Sequence, residues 1–336
     1  MSNSHETSPE LEPIDLRKLT TLLNYERVTS DPRFQGVKLG SSSIADPKMI
    51  QQLTSMKACQ DLIDQAPPSI EKTVWSTVAY DPTHRNNSEF PAATCEVHPL
   101  ASDKVKALTS AQRDSLYYGL LGDEGCFEAI TLYELFFVHC ERGQKVSIQL
   151  GKEPPHLVDL SDHFIVELKL QHPKILTVVA GLPETSVSGF RDEQGRAILA
   201  FRNDPLTPDI VVDMSRLQYG DAGRGDYGEN YYLGRFSDYL ESFKKLYGNI
   251  VPLNSKPPGL YKSSSKERRE WQIGCAERAW KRWNEKESKP WCDFCGKGGN
   301  LMKCGACKNS EVWYCCKEHQ VAGWKLHKHT CEKNKA

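Results

Sequence analysis

A dense set of cysteines and histidines at the end of the chain constrains its fold more than any other feature. Seven of the twelve cysteines lie between residues 292 and 331. A Cys-x-x-Cys turn directs two sulfurs at one ion, and a four-residue spacing places two side chains on one helical face. Zinc prefers four thiolate or imidazole ligands in a tetrahedron. Eight ligands suffice for two such sites, and they fall into four pairs: Cys292/Cys295, Cys304/Cys307, Cys315/His319 and His327/Cys331.

Disulfide bonds and simple core packing are the alternatives for these cysteines. Disulfide frameworks are typical of secreted chains, whereas this sequence begins with a polar segment that lacks a hydrophobic signal region. The apolar side chains of so short a module are too few to fold it unaided, so bound metal would supply much of the folding free energy. We therefore predict two zinc ions as cofactors. Both would be structural, because protein ligands would fill all four positions of each site.

The spacing leaves open which pairs share an ion. Sequential pairing gives one site of four cysteines and one of two cysteines and two histidines, whereas interleaved pairing gives two sites of three cysteines and one histidine. Cys316 and His329 lie beside predicted ligands and would replace them if the register were shifted by one residue. We interpret both as non-ligands, because the four-residue spacings are complete without them.

The order of these pairs resembles the MYND-type zinc finger, which also shares three flanking features: Tyr314 before Cys315, Gln320 after His319, and Trp324 three residues before His327. That family interleaves its ligands. The resemblance therefore implies one ion on Cys292, Cys295, Cys315 and His319, and the other on Cys304, Cys307, His327 and Cys331. His319 departs from the family, which usually has cysteine there, although histidine is an acceptable zinc ligand.

The resemblance also implies a function, namely a docking surface for short, often proline-containing peptides of partner proteins. Gln320 and Trp324 are the candidate surface residues, and packing of Trp324 in the small core of the finger is the alternative. MYND fingers often accompany SET-type lysine methyltransferases. The Asn-His-Ser-Cys stretch of those enzymes has no counterpart in this sequence.

Charge and hydropathy narrow the range of possible functions further. The formal net charge of −1 conceals an asymmetry, since residues 261–336 hold seventeen Lys and Arg against nine Asp and Glu. Such a basic tail on an acidic body would bind an acidic partner, nucleic acid or its own body. No stretch approaches the roughly twenty apolar residues of a membrane helix. Because zinc thiolates need reduced cysteine, we expect a cytoplasmic or nuclear protein without membrane contact.

Composition divides the chain into five predicted parts. These are a disordered N-terminus at 1–13, an α+β body at 14–250, a linker at 251–265, an amphipathic connecting helix at 266–288, and the finger at 289–333. In the connecting helix, apolar residues recur every four positions, so this face is expected to dock on the body or the finger. A role in stacking on RNA would need its tryptophan rings exposed, and nucleic acid is therefore not the expected partner.

The body is predicted to mix helices and strands. Apolar residues at helical spacing predict helices at 14–25, 48–65, 103–121, 127–140 and 236–247. Short apolar runs between turn residues predict strands at 146–150, 163–170, 175–180, 197–201 and 210–213. Residues 81–100 are interpreted as a loop, and the glycine-rich stretch 219–234 as a surface loop or a lid.

The body also contains a candidate catalytic constellation. Cys126 directly precedes the apolar helix, and a helix N-terminus stabilises a thiolate. His163 opens a strand and Asp213 ends a later one, so they could serve as base and orienting group. This order is similar to the transglutaminase-like branch of the papain-type fold over residues 122–220, although that family brings its aspartate strand sooner after the histidine strand.

Two functions from different classes follow. The first is a zinc-binding adaptor or regulatory protein whose finger mediates protein–protein interaction. The alternative is a cysteine hydrolase or acyl transferase that uses Cys126, His163 and Asp213. Against the enzyme, buried cysteine is common as a small core residue, and a histidine at the start of a strand is often an ordinary surface or capping residue.

Overall fold

The computed structural model describes residues 11–80, 88–120, 125–181, 185–202, 209–261, 263, 265–307 and 312–331. The helices of these residues are α1 Leu16–Ser30, α2 Lys48–Thr54, α3 Lys57–Asp64, α4 Asp103–Lys106, α5 Ser110–Leu120, α6 Gly125–Phe137, α7 Phe236–Phe243, α8 Lys266–Asn284 and α9 Lys317–His327. Short 3-10 segments lie at Leu160–Asp162 and Arg216–Gly223.

The strands are β1 Ile14–Asp15, β2 Val37–Ser42, β3 Lys72–Tyr80, β4 Glu96–Val97, β5 Lys145–Ile148, β6 His156–Asp159, β7 His163–Pro173, β8 Ile175–Ala180, β9 Ser186–Ser188, β10 Glu193–Phe201, β11 Ile210–Asp213, β12 Tyr232–Arg235, β13 Tyr247–Lys256, β14 Met302–Lys303 and β15 Trp313–Tyr314. The predicted α+β class is confirmed.

The central sheet has the order β12-β11-β10-β7-β13 and is antiparallel throughout. Side chains of a strand alternate between the two faces of its sheet, and here both faces are buried. Ile165 and Leu199 face a core shared with α1, α6 and α8. Phe164 and Ile198 face a second core with α7 and several tyrosines. Burial on both faces explains why β7, β10 and β11 contain apolar runs that the sequence reveals.

A second sheet, of order β4-β2-β3-β8-β9, lies beside the first. Two of its pairs, β2 with β4 and β3 with β8, are parallel. Trp75 and Val178 form one small core with partly buried residues of α2 and α3. Val37, Leu39 and Val179 form another with α5. A short sheet, β1-β5-β6, carries the start of α1.

Helix α1 is the central element of the body. It begins at Asp15, whose carboxylate accepts the Lys18 N–H at 3.1 Å and so caps the helix. Leu19, Leu22 and Leu23 are fully buried in the largest core. Each such leucine stabilises the fold by roughly 1.5–3 kcal/mol.

Helix α8 packs on α1 and α6 through its apolar face, as the sequence predicts. Cys275 and Ala279 are completely buried. The Trp271 indole N–H donates to the Ser30 carbonyl at 3.1 Å, and the Arg268 guanidinium pairs with Asp31 at 2.9 Å. Because this face contacts the body, it does not present an open platform for RNA bases.

The linker prediction is wrong for its first part. Residues 251–256 belong to β13, which pairs with β7 at the edge of the central sheet. Every side chain from 251 to 256 is exposed or partly so, and an edge strand is held mainly by main-chain hydrogen bonds. Its polar, proline-containing composition therefore resembles that of a loop, and the body continues to Lys256 rather than to residue 250.

Several predicted helices differ in their bounds. The helix expected at 48–65 is divided into α2 and α3, and the one expected at 103–121 into α4 and α5, with Leu121 outside the described residues. The helix expected at 236–247 ends at Phe243, because Tyr247 begins β13. The connecting helix ends at Asn284, short of residue 288.

The predicted disorder of 1–13 falls mostly outside the described residues, which begin at 11. Within the segment, Glu12 contacts the rest of the chain. The Gln144 amide donates to the Glu12 carbonyl at 2.8 Å, and the Glu12 carboxylate pairs with Lys286 at 2.7 Å. Within the described residues, no helix has the length and apolar character needed to cross a membrane.

Candidate metal centre

The scaffold of the cysteine-rich segment is a two-residue ribbon followed by a helix. Strands β14 and β15 pair Met302 with Tyr314 and Lys303 with Trp313, and α9 then follows. The first Cys-x-x-Cys turn is closed by the Gly296 N–H, which donates to the Cys292 carbonyl at 2.8 Å. Gly296 has a φ of +81°, a conformation that glycine adopts without a steric penalty.

One group of ligand atoms combines this turn with the start of α9. It consists of Cys292, Cys295, Cys315 and His319. The sulfurs of Cys295 and Cys315 are 3.7 Å apart, and the Cys315 sulfur is 3.1 Å from His319 Nδ1. Zinc–sulfur bonds of about 2.3 Å imply sulfur–sulfur separations of about 3.8 Å in a tetrahedron. The group therefore fits one zinc ion.

The second group combines the other Cys-x-x-Cys turn with the end of α9. Its members are all buried: Cys304, Cys307, His327 and Cys331. His327 Nε2 lies 3.3 Å from the sulfurs of both Cys304 and Cys307, and the sulfurs of Cys307 and Cys331 are 3.6 Å apart. These separations again match the edges of a zinc tetrahedron.

The ligands are interleaved along the chain, as the family resemblance implies. Helix α9 supplies His319 near its start and His327 at its end, so one helix connects both sites. Cys316 and His329 belong to neither group. A disulfide would need sulfurs about 2.05 Å apart, and all twelve cysteines are free.

Four protein ligands surround each position, so each site resembles a closed structural zinc site. The family model for the MYND finger matches residues 292–331. This segment is a MYND finger. It binds two zinc ions, and MYND fingers generally mediate protein–protein interactions.

Three curated relatives share this finger. Egl nine homolog 1 from Mus musculus is 48% identical over 48 residues, which is 14% of this chain and 12% of the relative. The Homo sapiens protein of the same name is 48% identical over 44 residues, 13% of this chain and 10% of the relative. Histone-lysine N-methyltransferase ASHR1 from Arabidopsis thaliana is 45% identical over 49 residues, 15% of this chain and 10% of the relative.

The chain therefore spans only about a tenth of the length of these relatives. No solved structure matches the chain. The resemblance of residues 122–220 to the transglutaminase-like fold accordingly has no support from the comparisons.

The MYND finger is held against the body by the end of α8. Trp291 packs beside Trp283, with ring centroids 6.1 Å apart, and joins the largest core. The Arg282 guanidinium donates to the Gly296 carbonyl at 2.6 Å and lies over the Tyr25 ring of α1 at 5.0 Å. Finger and body are thus one packed unit at this junction.

The predicted catalytic cysteine is an interior residue. Cys126 lies in the first turn of α6 and is only 6% exposed. Burial raises the pKa of its thiol, and this effect outweighs the nearby charge of Arg196. A raised pKa is the opposite of what an activated nucleophile needs.

The proposed partners of Cys126 have other contacts in the described part of the chain. His163 Nε2 lies 3.0 Å from Glu134, and its Nδ1 lies 2.5 Å from the Leu160 carbonyl. The Asp213 carboxylate instead pairs with Arg196 at 2.6 Å. Both histidine nitrogens and the aspartate are therefore engaged elsewhere, and the expected relay is not assembled among these residues.

The outer face of α9 carries the predicted docking residues. Trp324 is 40% exposed, so the alternative that it packs inside the finger is wrong. Its ring makes an edge contact with the His327 ring at 5.7 Å between centroids. The sequence interpretation missed Val321, which is 62% exposed. Its position three residues before Trp324 was the available signal, because residues at that spacing share a helical face.

Proposed function

We propose that this protein is an adaptor whose MYND finger docks a proline-containing peptide of a partner protein on the outer face of α9. The observation that carries the proposal is the exposure of Trp324 and Val321 on a helix that two zinc sites would hold rigid. A preformed surface binds with little further loss of conformational entropy.

The occupant follows from the chemistry of this face and from the family resemblance. Proline-rich segments dock on aromatic surfaces in an extended conformation whose carbonyl groups remain available as acceptors. The Trp324 ring supplies the aromatic surface. The Gln320 carbonyl oxygen accepts from the Lys317 ammonium at 3.0 Å, and this contact orients the amide NH2 group as a donor to a peptide carbonyl.

The adaptor role rests on the connection between finger and body. Since α8 packs on the body and Arg282 contacts both parts, a partner docked on α9 would be held at a defined position relative to the body. The need for reduced thiolate ligands supports a cytoplasmic or nuclear location. One relative is named a methyltransferase. This sequence has no counterpart of the Asn-His-Ser-Cys stretch, so we do not extend that activity to it.

A peptide selection with the zinc-loaded full-length protein tests the proposal. One library fixes a central proline and a matched library fixes alanine, and binding of selected peptides is then measured by calorimetry. We expect enrichment only from the proline library. Trp324→Ala should weaken binding about tenfold or more, as is usual for an aromatic hot spot. Gln320→Ala should weaken binding to a smaller extent.

The matched control is Met302→Ala, which removes a side chain of similar exposure, 42%, from another part of the finger. It should leave both peptide affinity and zinc content unchanged. Equal enrichment from the two libraries would refute the choice of proline. Equal losses from Trp324→Ala and Met302→Ala would refute the docking face.

A further inference from the structure

Exposed lysines surround the apolar residues on the outer face of α9. Lys317 and Lys325 lie four residues before and four residues after Val321, and residues at that spacing share a helical face. Trp324 lies beside Val321, three residues further along the helix. All four side chains are exposed. Val321 and Trp324 therefore form an apolar centre with an ammonium group toward either end.

The net charge of this helix is positive. Lys328, the C-cap of α9, is a third exposed lysine, and Glu318 is the only carboxylate among residues 317–328. Glu318 lies in the first turn, where the helix dipole stabilises a negative charge. Among the residues that the structure describes, neither Lys317 nor Lys325 has a carboxylate within ion-pair distance. Their charges face solvent.

The arginines of α8, in contrast, pair with carboxylates of the body. Arg268 pairs with Asp31 at 2.9 Å. Arg278 and Arg282 pair with Glu26 at 2.9 and 2.8 Å. The sequence left open whether the basic C-terminal part binds the body, an acidic partner or nucleic acid. Because the α8 arginines bind the body, the exposed lysines of α9 are the charges that a partner would meet.

The body leaves Lys325 open to solvent. A Cβ added to Gly228 of the body would lie 3.5 Å from the Lys325 ammonium nitrogen, so these two residues are neighbours. Glycine has no side chain that would cover the ammonium group. Lys325 is therefore exposed although it lies where the finger approaches the body.

The spacing of the lysines fits an extended peptide. Lys317 and Lys325 are eight residues apart, which is about 12 Å along a helix axis. A peptide in the polyproline II conformation advances about 3.1 Å per residue. Acidic residues about four positions apart in such a peptide would therefore reach both ammonium groups, while the residues between them contact Val321 and Trp324.

We propose that the partner of the α9 face is an acidic peptide, in which Asp or Glu residues flank the proline and pair with Lys317 and Lys325. This inference rests on the proposed function, since it places the peptide on Trp324. Complementary charge speeds association and rejects basic partners by repulsion. Nucleic acid fits this face less well. Single strands stack on successive aromatic rings, and Trp324 is the only Phe, Tyr or Trp residue of α9.

Peptide selection with charged libraries tests the inference on the zinc-loaded full-length protein. Two libraries fix a central proline, and their flanking positions are apolar or acidic in one and apolar or basic in the other. A third library has acidic flanks around a central alanine. We expect enrichment from the acidic proline library alone. Replacing one glutamate of a selected peptide by glutamine should weaken binding roughly two- to fivefold, as for one exposed ion pair.

A double-mutant cycle measured by calorimetry connects each acidic position with a lysine. Lys325→Gln should weaken binding of the selected peptide roughly two- to fivefold. The peptide with glutamine at the matching position should then bind this variant as well as the parent peptide does. Lys317→Gln should behave in the same way with the other acidic position. The control Lys289→Gln, in an exposed finger lysine that pairs with Glu285, should change neither affinity nor zinc content.

The outcomes separate this inference from the proposed function. Equal enrichment from the acidic and basic proline libraries would overturn the inference and leave docking on Trp324 intact. Equal enrichment from the acidic proline and alanine libraries would overturn the choice of proline and support the acidic partner. Additive losses in the cycle, or an equal loss in Lys289→Gln, would overturn the inference. So would a single-stranded oligonucleotide that binds more tightly than any peptide and loses affinity in Lys325→Gln. Enrichment from no library would overturn both proposals.

Discussion

Removal of the Asp213 carboxylate should destabilise the body strongly, because this group is the counter-ion of a completely buried arginine. The side chains of Arg196 and Asp213 are both 1% exposed, and they approach to 2.6 Å. The same carboxylate also accepts hydrogen bonds from the Tyr239 hydroxyl at 2.7 Å and the Ser215 hydroxyl at 3.0 Å. Asp213→Ala would leave the Arg196 charge without compensation in the interior.

The expected magnitude follows from this geometry. Breaking a buried ion pair from one side costs about 3–5 kcal/mol, which is a large fraction of the roughly 5–15 kcal/mol that stabilises a typical domain. The double change Arg196→Met with Asp213→Leu should recover most of this loss, since it removes both charges together. The control Glu241→Ala breaks an exposed pair with Lys244 and should cost less than about 1 kcal/mol.

Urea unfolding followed by circular dichroism at pH 7 measures these differences. The pH dependence gives a second readout. Burial raises the pKa of Asp213, but Arg196 and Tyr239 outweigh it and hold this pKa below its ordinary value. The contribution of the Asp213 carboxylate to the free energy of unfolding is therefore fully present above the unfolded pKa of about 3.9. It is lost as the pH falls through the lower pKa of the folded state. A cost below about 1 kcal/mol for Asp213→Ala would refute this account.

Three further predictions concern the thiols and the finger. Cys304→Ser should release zinc and unfold the finger, whereas Cys316→Ser should keep the full zinc content, as measured by elemental analysis. Iodoacetamide at pH 7 should label Cys126 only after unfolding, because burial raises the pKa of its thiol. The partly exposed Cys59 should react in the native protein. Rapid labelling of Cys126 in the native protein would instead support the enzyme hypothesis. Gly296→Ala should speed zinc release to a chelator, since an added Cβ would lie 2.5 Å from the Tyr25 Cβ. The control Gly305→Ala should leave the rate of zinc release unchanged, because no atom lies within 4 Å of the added Cβ.

The metal ligands were predictable because their chemistry is encoded locally. A Cys-x-x-Cys turn or a four-residue helical spacing needs no knowledge of distant chain, and zinc accepts few other ligand sets. The sharing of ions between pairs was not predictable in this way. It depends on how the ribbon and α9 fold together, and it came from the family resemblance alone.

The strands of the body likewise include some that the local sequence predicts and some that it does not. Strand β11 coincides with its predicted bounds, since Ile210, Val211 and Val212 are all buried. Strand β2 was missed because its second half, Gly40 to Ser42, carries no apolar side chain and pairs with β3 across a bulge. The part of β13 from residue 251 to 256 was taken for a linker because its side chains are exposed, so its sequence does not indicate the sheet to which it belongs.

The catalytic prediction depends on contacts that the sequence does not show. Helix position and strand order did suggest Cys126, His163 and Asp213, but the same positions suit buried structural residues. The hydrogen-bond or ion-pair partner of each polar group decides between a catalytic and a structural role. Asp213 pairs with Arg196, and His163 contacts Glu134. Neither pairing is visible in the sequence.

Zinc stoichiometry tests the central claim most directly. Reduced, full-length protein, freed of loosely bound metal by gel filtration, should contain two zinc ions per chain by mass spectrometry, one for each group of four ligands. A chelator strong enough to remove them should unfold residues 292–331. Protein that carries no transition metal while this segment stays folded would contradict the account.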